Sequence, residues 1–228
     1  MKIMLVFHLL GKLLIILSGI LLVPLCVSLF YHEKEEMWAF TISIIASGIS
    51  GLMLTLSCKY KNEDIKVREA FAIVTFWWIF CAFFGAIPYW ISGVCNTFCD
   101  SYFESMSGFT TTGASIFKNV EILPHGILLW RSMSQWLGGM GIVVFFVAVL
   151  PAMGIGGHKL FSAETTGHTA EKIKPRIAQT AKILWIVYLF LTATVFLLFW
   201  IEGMGPFDAV CHGFTTVSTG GFSTRNQS

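Results

Sequence analysis

The chain is predicted to fold as an all-α integral membrane protein, on three observations. Apolar residues fill 55% of its 228 positions and charged residues only 12%, with a mean hydropathy of +0.74, too apolar for a soluble domain of this length. Five stretches reach the roughly 20 apolar residues that a helix needs to cross a bilayer: 5–30, 37–58, 69–93, 124–151 and 178–202. Between the third and fourth, and again after the fifth, the chain turns Thr/Gly-rich without becoming strongly charged, at Thr110–Ala114 (TTTGA) and Val217–Phe222 (VSTGGF).

Residues 1–65 hold two leading transmembrane helices. Lys2 and Lys12 around the start of an apolar run look like a secretory leader, but no small-residue cleavage site follows and another span comes next. The turn His32-Glu33-Lys34-Glu35-Glu36 has one Lys and fits the outside. The loop with Lys59, Lys61, Lys66 and Arg68, and the one with Lys159, Lys172, Lys174, Arg176 and Lys182, fit the cytoplasm. The N-terminus then lies in the cytoplasm, both Thr/Gly segments face outside, and Trp90, Trp130 and Trp200 are expected as interfacial anchors.

Residues 66–155 read as one unit: a span (69–93), a short helix (97–109), an extended Thr/Gly stretch (110–114) and a second span (124–151). A cytoplasmic connection, 156–177, leads to a second unit, 178–228, with a span (178–202), a short helix (206–216) and a Thr/Gly stretch (217–222) but no final helix. Pro206 suits a first helical turn and Asp208 complements its positive end, with Glu104 in the corresponding part of the first unit. Gly108-Phe109-Thr110-Thr111 matches Gly213-Phe214-Thr215-Thr216 at an offset of 105 residues. A helix, re-entrant helix, filter, helix unit is thus repeated. The partner of Gly113 is either Gly220 or Gly221.

A Thr/Gly segment at membrane depth leaves carbonyls without helical partners, which is tolerated only in protein or along a wet pathway. Carbonyls facing such a pathway replace a cation's water. The candidate ion contacts are therefore Thr110, Thr111, Thr112 and Gly113 with Ser218, Thr219, Gly220 and Gly221. Glycine permits the extended backbone, hydroxyls brace it, and each short helix aims its negative C-terminal end at the ion. One unit cannot surround an ion; several around one axis can.

Other chemistries find little support. A net charge of +2, with the basic residues between spans, points away from nucleic acid. Paired catalytic carboxylates, HExxH, a nucleophile motif and a phosphate loop of GxxxxGK[ST] type are all missing from the sequence. Cys95 and Cys99, without His or acidic ligands at metal spacing, read as packing residues, so no metal or cofactor is assigned. Gly138, Gly139 and Gly141 read as close helix packing. Arg131, near the outer end of its span, either snorkels or pairs with an acidic residue of a short helix, with pairing favoured and direct ion repulsion the lesser reading. His212 reads as a satisfied structural histidine, and Arg225 would repel cations unless paired.

The segments ESMSGFTTTGAS (104–115), WRSMSQWLGGMGIVV (130–144) and FTTVSTGGFSTRNQS (214–228) resemble the Trk/Ktr/HKT superfamily of potassium transporters, most closely its bacterial Trk branch. The resemblance implies a potassium-channel-like plan of four units around one pore, each with a short filter and one key glycine. Two units, the second incomplete, are expected here, so that the chain forms the N-terminal half of a transporter for potassium uptake across the inner membrane. The family's gating residues belong to the third and fourth units and have no counterpart. It further implies a homodimer, a cytoplasmic nucleotide-binding regulatory subunit contacting residues 162–176, and potassium as the transported ion. The alternative is a non-conducting fragment or split subunit that needs the missing repeats.

Overall fold

A computed structural model describes residues 2–58, 67–152 and 170–227. These form eight helices: α1 (Ile3–Ile20), α2 (Leu22–Phe30), α3 (Lys34–Ser57), α4 (Val67–Ile91), α5 (Phe98–Phe109), α6 (His125–Ala152), α7 (Ala170–Ile201) and α8 (Pro206–Val217). The joined α1–α2, then α3, α4 and α7, are each long and apolar enough to cross a membrane. The interruption at Leu21 comes one turn before Pro24, which has no N–H to donate to the preceding turn. α6 is 28 residues long.

Residues 170–177, expected within the cytoplasmic connection, are helical and continuous with the apolar span Gln179–Ile201 of α7. Ala170, Glu171 and Lys172 are strong helix formers, so charge alone does not end the helix there. The rest of the connection, including Lys159 and most of 162–176, lies outside the described residues, as do Lys59, Lys61 and Lys66.

Inside a membrane, helices associate through close packing and hydrogen bonds rather than by hiding apolar surface from water. α1 meets α3 through two glycines: a Cβ on Gly11 would stand 2.7 Å from the Gly51 carbonyl, and one on Gly51 2.7 Å from the Gly11 carbonyl. α4 contains Pro88, whose missing N–H frees the Phe84 carbonyl. Buried Ser43 of α3 donates to that oxygen at 2.9 Å. Trp130 of α6 donates its indole N–H to the adjoining Gly85 carbonyl, also at 2.9 Å. Both neighbours thus hold α4 beside its proline.

α6 is the buried axis of the described residues, with Ile127, Trp130, Arg131, Gln135 and Met140 almost fully enclosed. Trp130 is therefore no interfacial anchor: it is 0% exposed and sits edge-on to Phe109, whereas Trp90 and Trp200 are about half exposed. The α6 N-terminus is capped from the α2–α3 turn, where the Glu33 carboxylate accepts the backbone N–H groups of His125 (2.6 Å) and Gly126 (3.0 Å). Tyr31 stacks on the His125 ring at 3.7 Å and Phe207 meets both rings edge-on. Cys95 is buried, Cys99 is exposed, and both thiols are free.

Candidate functional site

The short helices α5 and α8 finish in the same way. Thr111 and Thr112 donate their N–H groups to the Gly108 and Ser107 carbonyls (2.9 and 3.0 Å), and Thr219 and Gly220 donate to those of Thr216 and Thr215 (3.0 and 2.9 Å). Each pair of reversed bonds is a Schellman closure. Thr111 and Thr219 have φ of +53° and +54°, and Gly113 and Gly221 of +76° and +84°. A branched residue in the left-handed region is strained, by about 1–3 kcal/mol, and both loops carry that strain at the same step.

This backbone pairs Thr111 with Thr219 and Gly113 with Gly221, an offset of 108 residues (111 to 219, 113 to 221). The 105-residue register of the GFTT match is thereby corrected. In the first unit those four residues straddle the end of α5, while in the second all four lie inside α8, which runs on to Val217. Glu104 consequently does not correspond to Asp208. Asp208 stands in the first turn of α8, as Asp100 stands in that of α5, where Thr97 accepts the Asp100 N–H at 3.1 Å. Glu104 sits one turn deeper, at the place that His212 takes in α8.

Glu104 is fully buried and accepts three donors: Arg131 Nε (2.9 Å), Ser115 Oγ (2.9 Å) and the Ile116 N–H (3.0 Å). Arg131, 2% exposed, also donates to Ser115 Oγ (3.1 Å) and to the Ser223 carbonyl (3.1 Å), with its guanidinium 4.2 Å from the centre of the Phe222 ring. One side chain of α6 thus bonds to the return stretches of both loops, and the pairing expected of Arg131 has Glu104 as its partner. In α8 the corresponding side chain is a histidine: His212 Nδ1–H donates to the Asp208 carbonyl (2.9 Å) and Nε2 lies 3.2 Å from Ser223 Oγ. Arg225 is paired with the Asp208 carboxylate at 2.6 Å.

The loops lie side by side. A Cβ on Gly113 would come within 2.3 Å of the Gly220 carbonyl, whereas one on Gly221 would meet nothing within 4 Å. One turn after Arg131, the buried Gln135 donates Nε2–H to the Gly220 carbonyl (2.8 Å) and accepts the Phe222 N–H at Oε1 (3.0 Å). Thr110, Thr112, Thr219 and Gly221 are exposed, Thr111 and Gly113 half-buried, and Ser218 and Gly220 buried. Of the three α6 glycines, Gly138 abuts the Phe109 carbonyl and Gly139 abuts Ser218, while Gly141 has only ordinary contacts.

Sequence reasoning missed Gln135, Ser115 and Ser223. A usable signal existed for Gln135 alone: an amide one helical turn from a buried arginine shares its face and, in an apolar span, requires partners.

The TrkH family profile, described as "Cation transport protein", matches residues 36–228. The chain is 43% identical over 220 residues to the Trk system potassium uptake protein TrkH of Escherichia coli strain K12, covering 96% of this chain and 45% of that protein. To TrkG of the same strain it is 40% identical, covering 98% and 46%. The crystal structure of the potassium transporter TrkH from Vibrio parahaemolyticus aligns with the whole chain and 46% of its own length, at a TM-score of 0.85 and 36% identity. The chain thus spans about half the length of the relatives it matches. The match over residues 36–228 places this chain in the TrkH family of cation transport proteins.

Proposed function

We propose that the chain supplies two quarters of a potassium uptake pathway across the cytoplasmic membrane, as the N-terminal half of a Trk-type transporter. Residues 110–113 and 218–221 serve as filter segments, offering main-chain oxygens to the ion, and α5 and α8 serve as pore helices whose negative ends face it. One observation carries this reading: two loops of identical backbone pattern, each with a strained threonine followed by a left-handed glycine, lie against one another at Gly113 and Gly220. Non-glycine left-handed residues persist where surrounding structure holds them for a purpose. The N-terminus is read as cytoplasmic with both filters outside. A homodimer and a cytoplasmic nucleotide-binding regulatory subunit are the partners that the family resemblance suggests.

The test is Gly113→Ser in the intact transporter, reconstituted in proteoliposomes, with rubidium and sodium uptake measured side by side. The rubidium-to-sodium ratio is expected to fall more than protein abundance does. An unchanged ratio would remove residues 110–113 from the ion pathway.

A second reading concerns these 228 residues by themselves, as a non-conducting piece, and a cleft of about 350 Å³ favours it. The cleft is lined by His212, Thr216, Thr219 and Ser223. In the 108-residue register it matches the face of the first unit covered by α6, where Arg131 bonds Glu104 and Ser134 abuts Gly108. A further helix would fill it. Uptake by the intact transporter but not by residues 1–228 alone is the expected outcome.

A further inference from the structure

The doubled glycine of the second loop poses a question that the first loop does not, because Gly220 stands where the first loop has Thr112. Gly221 has the left-handed φ; Gly220 has no such need and is not among the residues of positive φ. A Cβ on Gly220 would lie 2.3 Å from the Gln135 carboxamide carbon, which stacks directly on that backbone. The carboxamide then spans the peptide units on either side of Gly221, donating to the Gly220 carbonyl and accepting from the Phe222 N–H. Gln135 is fully buried, so neither bond competes with water.

We propose that Gln135 is the specificity-determining positioning residue of the second loop. Its carboxamide acts as a two-point clamp that fixes the direction of the carbonyls on both sides of Gly221. This rests on the reading of 218–221 as an ion-coordinating segment. Ion discrimination depends on how firmly carbonyls are held at the spacing of the preferred cation. The loop contributes little of its own to that firmness, since its glycines resist backbone rotation less than any other residue. Gly220 is required for the close approach of the clamp, Gly221 for the turn beneath it. Arg131 fixes the Ser223 carbonyl, two residues beyond Gly221, so α6 holds two parts of the return stretch.

The two halves of the clamp can be separated chemically. Gln135→Glu keeps the size and the acceptor for Phe222 N–H, but an ionised carboxylate cannot donate to the Gly220 carbonyl. A protonated one can. Gln135→Leu removes both bonds at similar volume.

Rubidium and sodium uptake are measured in proteoliposomes for the intact transporter and for both variants, across external pH. The expected result at neutral pH is a rubidium-to-sodium ratio lowered about tenfold in Gln135→Glu, the worth of one buried hydrogen bond, and lowered further in Gln135→Leu, which loses both. In Gln135→Glu alone, the ratio recovers as the pH falls. Around this loop Arg131 of α6 bonds Glu104 of α5, and His212 of α8 contacts Ser223; these charged and titratable groups are all present in the leucine variant, which controls for them.

A ratio that stays at the parent value in Gln135→Glu, or that recovers equally in Gln135→Leu, overturns the clamp. If Gln135→Leu does not assemble, the pH recovery of the isosteric glutamate variant decides alone, because a merely structural defect would not reverse on protonation. Should Gly113→Ser lower the ratio while both Gln135 variants leave it unchanged, the clamp fails and the filter reading stands. An unchanged ratio in all three variants overturns both.

Discussion

The two units carry the same loop on different supports. In the first, the middle of the short helix holds an acid, Glu104, locked in a buried ion pair with Arg131. In the second, the same place holds His212, bonded to a carbonyl and a hydroxyl with no ion pair of its own. Backbone shape is therefore kept while the chemistry beneath it changes, and the charge of the first unit braces both loops through Ser115 and Ser223. A repeat need not repeat its supports, provided one central helix reaches across.

The largest expected effect follows from that asymmetry. Arg131→Leu leaves a carboxylate buried without its cation, and breaking such a pair costs about 3–5 kcal/mol. Thermal unfolding of the detergent-purified protein should show that loss, with Arg131→Lys recovering only part because a point charge cannot replace a fork with three acceptors. His212→Leu, removing bonds to a carbonyl and a hydroxyl, should cost about 1 kcal/mol per bond. Equal destabilisation by the two would erase the distinction between the units.

An intermediate effect separates the two registers. Gly108 and Gly213 are equivalent in the letters but not in the fold. A Cβ on Gly108 would press on Ser134 at 2.3 Å, while one on Gly213 meets Phe196 at an ordinary 3.6 Å. Gly108→Ala should destabilise, and Gly213→Ala should leave stability unchanged or raise it by up to about 1 kcal/mol through helix propensity. Matching losses in the two melting curves would favour the 105-residue register.

The smallest effect lies at the rim. Burial pushes the Asp208 carboxyl up, but hydrogen bonds from Arg225 and Thr224, with the Arg225 charge, more than offset this and hold it below its ordinary value of 3.8. Its lowered value means that the pair's contribution is complete above that ordinary value and is lost as the pH falls through the folded one. Arg225 is largely exposed, so salt should weaken the pair too. Asp208→Asn should remove this small pH and salt dependence from the melting temperature and do little else.

Much of the fold was legible because apolar length reports helices directly, and the Thr/Gly loops stood out because such residues are unusual between spans. The register was not legible, since GFTT serves as a helix end in one unit and as helix body in the other. Trp130 was misread as an anchor because an indole suits both an interface and a core donor, and only the carbonyl of Gly85 decides between them. Arg131 announced its need for a partner, yet spacing could not choose Glu104. Gln135 was overlooked because a neutral amide costs less to bury than a charge and so draws less attention.

Pro88 within α4 has a consequence for how the molecule is made. Its freed carbonyl at Phe84 is satisfied by Ser43, which the ribosome delivers some forty residues earlier. The hydroxyl that fills this gap is therefore made before the helix that opens it, and the partner for the open carbonyl comes from the leading hairpin and not from the first unit itself.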